Sequence, residues 1–372
     1  MSEVEGIFAE YLCKIRNKSL AKRKVRAKDK AIAAWVEDDR LITQKGKALV
    51  IILNSNGCAW AQSGSGGCSM CGYSNETSEN ISAKDLIKQV DDVLLKFTKG
   101  NYQSVKLFNS GSFLDDNEIP EKAQIAIMES LAKLPQVTEI IIETRPEYVS
   151  PDKLKLLKKI LDKDKELELG IGLESSNDFI RVNNINKGFT FKDFKQATKI
   201  ALKNNVRVKS YLLFKPPFLT ESEAISDTVQ SAIDSIKAGA RSVSINPMNI
   251  QTGTLVYQLW RNDLYRSPWF WSLQEVIRKI WKRITEENLQ DKVDRIVTDP
   301  SGAGSNKGVN NCRKCNKHFI KAVKNYSILQ DVSVLVDISC NCKETWKELL
   351  LIEEATRDSS LSKVESIIDY FK

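Results

Sequence analysis

From Ala48 onward, short apolar runs alternate with longer amphipathic ones, the pattern of strands joined by crossover helices, which predicts an α/β fold on a parallel sheet. Six such βα units follow one another, and no Gly-x-Gly-x-x-Gly turn follows the first strand. Together these favour a barrel or partial (β/α)6 barrel over a dinucleotide-binding sheet. A chain of 372 residues has room for one such domain of roughly 250 residues with smaller appendages. The expected division is a basic helical segment over 1–46, the barrel over 47–297 and a cysteine-rich module over 298–372.

The N-terminal segment carries the excess charge. Lys14, Arg16, Lys18, Lys22, Arg23, Lys24, Arg26, Lys28 and Lys30 are opposed there by Asp29 alone, in a chain whose net charge is +8. A basic stripe on a helix attracts phosphate backbones, so Lys14, Arg16, Lys22, Arg23, Lys24 and Arg26 are candidates for nucleic-acid contact, with a solvated helix face as the plain alternative. Cys13 on the same helix is expected to be a buried thiol.

Strands are expected at Ala48–Asn54, Ser104–Ser110, Thr138–Thr144, Glu166–Glu174, Arg207–Phe214 and Ala240–Met248. Helices are expected at Ala83–Phe97, Glu121–Leu134, Pro151–Lys163, Phe191–Asn204, Glu221–Ala238 and Leu273–Glu287. In a barrel the active site lies at the C-terminal ends of the strands. Those ends are polar: Asn109-Ser110-Gly111-Ser112, Glu143-Thr144-Arg145-Pro146, Glu174-Ser175-Ser176-Asn177 and Asn246-Pro247-Met248-Asn249. Trp269, Phe270 and Trp271, in an aromatic and basic stretch after the barrel, are expected to pack, with base stacking as the alternative.

The first strand runs into Cys58, Cys68 and Cys71, spaced Cys-x9-Cys-x2-Cys in a glycine- and serine-rich loop. Three thiolates suit three irons of a 4Fe-4S cluster with the fourth open, although a partial zinc site has the same ligand types. The tail adds Cys312-x2-Cys315 and Cys340-x-Cys342. Four thiolates are enough for tetrahedral zinc, with His318 as a possible substitute for one, while a second iron-sulfur cluster or free thiols remain open.

The chain's 42% hydrophobic and 28% charged residues are those of a soluble globular protein, and no apolar run approaches the roughly 20 residues of a membrane span. The acidic N-terminus does not resemble a signal peptide, so a cytoplasmic location with reduced cysteines is expected, and the clustered spacings then point to metal or redox chemistry. His318 is the one histidine, which leaves little for acid-base catalysis and points to a cofactor.

The stretch Gly67-Cys-Ser-Met-Cys-Gly-Tyr73, the six βα units and the Ser-Gly-Ser turn after the second strand resemble the radical S-adenosylmethionine superfamily. Asn109–Asp115, Glu143-Thr-Arg-Pro-Glu147, Gly172–Asn177, Asn186–Thr190, Lys215-Pro-Pro-Phe218 and Cys312-x2-Cys315 are similar to its archaeosine-forming, Elongator-like branch. The likeness runs from about Gly6 to Trp346. Two departures stand out: nine residues separate the first two cysteines where three are commonest, and Ser110-Gly111-Ser112 replaces a Gly-Gly-Glu turn.

The resemblance implies a 4Fe-4S cluster on Cys58, Cys68 and Cys71, and S-adenosylmethionine cleaved to a 5′-deoxyadenosyl radical. It puts Met70 and Tyr73 near the adenine, Asn109, Ser110, Gly111 and Ser112 near the cofactor's ammonium, Arg145 at its carboxylate, Glu174 at the ribose and Lys187 at a further polar contact. The implied activity is that of a lyase completing archaeosine in the D-arm of tRNA, breaking the carbon-nitrogen bond of a lysine adduct of a 7-cyano-7-deazaguanine base. A partner subunit that attaches the lysine, an external electron donor and no membrane association are implied as well. The alternatives are another Elongator-like tRNA modification and a non-catalytic zinc protein that binds nucleic acid.

Overall fold

The computed structural model describes residues 3–23, 25–161, 163–336, 338–355 and 363. Eight strands form one sheet in unbroken sequence order, curled into a half-barrel. They are β1 (Ala33–Arg40), β2 (Lys45–Ile52), β3 (Ser104–Phe108), β4 (Glu139–Thr144), β5 (Glu166–Glu174), β6 (Arg207–Phe214), β7 (Ser242–Pro247) and β8 (Arg295–Val297). The hairpin β1–β2 is antiparallel and every later pairing is parallel.

Helix α1 (Glu3–Leu20) precedes the sheet, and α2 (Ala59–Gln62) is a single turn after β2. The crossovers to β3, β4 and β5 are α3 (Ala83–Lys96), α4 (Glu121–Ala132) and α5 (Pro151–Ile160). After β5, α6 (Asp178–Ile180) runs into a π-helical turn at Arg181–Ile185, then α7 (Phe191–Lys203). The remaining helices are α8 (Glu221–Lys237), α9 (Leu255–Arg261), α10 (Phe270–Glu286), α11 (Asn316–Leu329) and α12 (Cys342–Ala355). Local sequence starts several of them: Ser82 with Asp85, Thr190 with Asp193 and Thr220 with Glu223 form capping boxes, each satisfying two amides the helix leaves unpaired.

Period-two alternation divides the sheet's faces. Ile140 and Ile142 of β4 and Leu167, Leu169, Ile171 and Leu173 of β5 are fully buried in the hydrophobic core. The intervening positions carry Glu139, Ile141 and Glu143 on β4 and Glu168, Gly170 and Gly172 on β5. At the N-terminal end of the strands charge fills the space between them: Arg295 donates to Glu168 (2.6 Å), to Glu139 (3.1 Å) and to the Arg40 carbonyl (2.6 Å). Lys106 pairs with Asp39 (2.9 Å) and Glu37 (3.1 Å). Burial opposes the charge on Glu168, but Arg295 and Lys209 outweigh it and hold the carboxyl at about 2.

Two strands lie beyond the six expected. β1 falls inside the segment expected to be helical; its Glu37 and Asp39 are acids satisfied by Lys106, so it lacks the apolar face that marks a strand. β8 has three residues, too few for a periodic signal. Trp269, Phe270 and Trp271 are buried, and Phe270 and Trp271 pack on Phe319 of α11 at ring-centroid distances of 5.2 and 4.6 Å; they form no exposed base platform. Cys13 is half-buried. Among the described residues no helix is long and apolar enough to cross a membrane.

Candidate functional site

The three-cysteine loop leaves the C-terminal end of β2 and is held by its backbone. Gly66 and Gly67 have φ of 70° and 78°, a region that favours glycine, and a Cβ on Gly66 would lie 2.3 Å from the Cys13 backbone nitrogen, so α1 packs directly on the loop. From α1, the buried Arg16 donates to the carbonyls of Gly66 (3.2 Å), Cys68 (3.4 Å) and Cys71 (2.7 Å). Asn186 donates to the carbonyls of Ser65 and Gly67 (both 2.9 Å), and the Ser69 hydroxyl to that of Asn184 (2.7 Å). Side chains from two distant segments thus bind the loop's carbonyls, the loop's own Ser69 ties it to Asn184, and its thiols remain for other ligands.

Burial pushes the thiols of Cys58, Cys68 and Cys71 up; Arg145 opposes this at Cys58, Lys187 at Cys68 and Arg16 at Cys71. Each thiol also raises a neighbour of the set. Three soft donors in a low-dielectric pocket flanked by cations fit a cationic cluster that holds them as thiolates and leaves one iron for a non-protein ligand.

Around this loop the strand ends form a rim. A Cβ on Gly111 would meet the Cys58 Cα at 2.6 Å, so the Ser-Gly-Ser turn lies against the first cysteine. Beneath that turn lies Glu118, which accepts from the Ser112 amide and the Ser55 hydroxyl (both 2.6 Å); burial raises its carboxyl to about 6. Ser112 is buried and its hydroxyl accepts from the Arg145 amide (2.8 Å), whereas the half-buried Ser110 donates to the Tyr73 carbonyl (3.2 Å). Asn109 is buried with an unpartnered Oδ1, an acceptor available to a cationic ligand.

Arg145 is buried beside Glu147, with Trp60 and Phe189 faces 5.5 and 5.2 Å from its guanidinium, and it donates to the Lys187 carbonyl (3.1 Å). Lys187 pairs with Glu174 at 2.7 Å. Burial opposes charge on Lys187, yet Glu174 and Cys68 hold its pKa above the ordinary value. Glu174 ends β5 at a bulge with φ of 65°, a strained backbone for a residue with a side chain. Met70 is half-buried and Tyr73 is 55% exposed at the edge of the rim. Glu118 was missed in the sequence; Glu143 was named among the polar strand ends without a role, and only its place beside Glu174, Lys187 and Tyr211 distinguishes it.

A groove of about 1130 Å³ runs along α1 beside this rim, lined by Lys14, Lys18, Lys22, Arg23, Arg26, Tyr73, Gln251 and Tyr257 among others. Lys14 and Lys22 are exposed. Arg23 pairs with Glu79 and Arg26 with Glu76, and Lys24 lies outside the described residues. Arg16 departs from the expected outward role, because its guanidinium is occupied by the cysteine loop.

Far along the chain, Cys312, Cys315, Cys340 and Cys342 bring their sulfurs within 4.8 Å of one another. The separations of 3.7, 3.6 and 3.7 Å match the roughly 3.8 Å edge of a tetrahedron with metal–sulfur bonds of about 2.3 Å. Trp271 donates to the Cys342 sulfur at 3.4 Å. His318 is exposed on α11 and outside this group.

This half-barrel with a three-cysteine loop at its mouth defines a radical S-adenosylmethionine enzyme, and the family model described as the radical SAM superfamily matches residues 55–228. The chain is 41% identical over 325 residues to archaeosine synthase subunit beta of Methanosarcina acetivorans, covering 87% of this chain and 91% of that one. It is 37% identical over 320 residues to the protein of the same name from Thermococcus kodakarensis, with 85% and 95% covered. The chain belongs to the archaeosine synthase subunit beta family of radical SAM enzymes. Among solved structures, Methanocaldococcus infernus Elp3 with an N-terminal deletion aligns over 54% of this chain and 50% of that one, at a TM-score of 0.41 and 16% identity.

Proposed function

We propose that this protein completes archaeosine in the D-arm of tRNA, cleaving the carbon-nitrogen bond that joins lysine to a 7-cyano-7-deazaguanine base. The observation that carries the reading is the adjacency of a thiol loop, a buried polar rim and a basic groove, in a chain that aligns over nearly the whole of archaeosine synthase subunit beta. When bound, a 4Fe-4S cluster and S-adenosylmethionine supply one-electron cleavage of the sulfonium and a 5′-deoxyadenosyl radical able to take hydrogen from an unactivated carbon. Cys58, Cys68 and Cys71 hold the cluster. Asn109 and Ser110 accept from the cofactor's ammonium, with Gly111 and Ser112 shaping that turn. Arg145 faces its carboxylate, Glu174 its ribose with Lys187 fixing the Glu174 carboxylate, and Met70 and Tyr73 border its base.

The exposed lysines of the groove, Lys14 and Lys22, engage the tRNA backbone together with Arg23, while Arg16 orders the loop beneath. Cys312, Cys315, Cys340 and Cys342 bind zinc in a structural role. The family name denotes one subunit of a larger assembly; the partner here is the lysine-transferring subunit, with an external electron donor, in the cytoplasm. Mass spectrometry of nucleosides after incubating the reconstituted enzyme with lysine-adduct tRNA tests the reading. Archaeosine is the expected product, and 5′-deoxyadenosine without archaeosine would remove the substrate assignment while leaving the radical chemistry standing.

A further inference from the structure

One acid in the barrel lumen is not accounted for by the cofactor contacts above. Glu143 lies on β4 opposite Gly170 of β5 in the strand register, and Gly172 lies opposite Tyr211 of β6. Both glycines keep the lumen open. A Cβ on Gly170 would sit 2.6 Å from the Tyr211 ring, and one on Gly172 would sit 2.8 Å from both the Glu174 carboxylate and the Lys187 ammonium. Side chains at these two positions would displace the groups that share this layer with Glu143.

The charges in that layer do not balance. Lys187 is paired with Glu174 at 2.7 Å. Glu143 makes no ion pair among the described residues; the Tyr211 hydroxyl lies beside its carboxyl, and Lys187 and Glu174 act on it at longer range. Two carboxylates thus share one cation in a buried space, and burial raises Glu143 to about 8. A second cation with N–H donors would complete the layer and hold Glu143 ionised.

Building on the reading of the function above, we propose that Glu143, oriented by Tyr211, is a binding site for an organic ammonium group entering the lumen. Two molecules of this reaction carry such a group: the lysyl arm of the modified base, and S-adenosylmethionine. The lysyl arm is favoured because Asn109 and Ser110 already offer acceptors to the cofactor at the rim.

The test uses the full-length, cluster-reconstituted protein and two tRNA probes, one bearing the lysine adduct and one a 6-aminohexanoate adduct that lacks the α-ammonium. Wild-type protein is expected to prefer the lysine adduct in kcat/KM, and Glu143→Gln, close in shape but uncharged, to lose about 10- to 100-fold on that probe alone, erasing the preference. Tyr211→Phe is expected to lose about 2- to 10-fold in the same sense. If Glu143→Gln instead keeps the preference and weakens S-adenosylmethionine binding in equilibrium dialysis by a similar factor, the site stands and its cation is the cofactor's. Unchanged preference and unchanged dialysis, in a variant with wild-type circular dichroism, overturn the proposal. Should wild-type protein convert neither tRNA, the reading of the function falls, and dialysis alone decides the site: weaker binding upholds it and equal binding overturns it.

Discussion

The two cysteine groups of this chain are built on opposite plans. Cys312, Cys315, Cys340 and Cys342 draw four sulfurs within 4.8 Å of one another, a closed tetrahedron in which the protein supplies every ligand. Cys58, Cys68 and Cys71 supply three, on a loop whose carbonyls are bound by Arg16 and Asn186 and whose thiols face Arg145 and Lys187. A closed set satisfies a metal and stabilises a fold, whereas an incomplete set among cations leaves coordination for a reactant. The same residue type thus suits a closed metal site in one place and an open one in another, depending on how many donors converge.

Single replacement of Cys58, Cys68 or Cys71 by alanine breaks the comparison most sharply. Activity should drop below detection and iron content should fall, while zinc stays at one per chain by elemental analysis. Loss of zinc with retention of iron would reverse the assignment of the two sites. Cys312→Ser should do the converse, lowering stability on the order of 3–5 kcal/mol in a denaturant titration and releasing zinc, with iron retained in the folded fraction.

A smaller effect separates two cations on α1. Arg16→Ala should reduce iron retention during gel filtration, because three loop carbonyls lose their donor, yet leave the salt dependence of tRNA binding unchanged. Lys22→Glu should leave iron alone, weaken tRNA binding a few-fold and reduce the slope of log affinity against log salt by about 1. If Arg16→Ala flattens that slope, the guanidinium contacts RNA after all.

The last comparison concerns pH. Burial, aided by Glu174 and opposed by Lys187, lifts Glu143 from 4.5 to about 8. Between those values the unfolded chain has released a proton that the folded protein keeps, so cluster-free protein should lose stability as pH rises through this window and level off above it. Glu143→Gln should lack that component. Equal pH dependence of melting temperature in variant and wild type would place Glu143 in a more solvated setting.

Much of this was legible where the signal is local. The Cys-x9-Cys-x2-Cys loop and the apolar strand runs each lie within one short stretch of chain, and the six expected strands and helices appear within a few residues of their anticipated ends. β1 was hidden because its Glu37 and Asp39 read as solvated until Lys106 of β3 is brought against them. Arg295 reads as a surface residue for the same reason, although it is fully buried among Glu139, Glu168 and Arg40.

By itself, the order of residues determined the fold class, the thiol spacings and the likeness to archaeosine-forming enzymes, because periodicity, spacing and motif identity are properties of contiguous chain. Tertiary structure decided what each charge is for. Helical periodicity could not tell Arg16, turned onto a loop about fifty residues away, from Lys22, exposed along the groove. Nor could spacing show that Glu118 braces the Ser-Gly-Ser turn or that Glu143 makes no ion pair among the described residues, since ion pairing depends on distances across strands that only the curled sheet brings together.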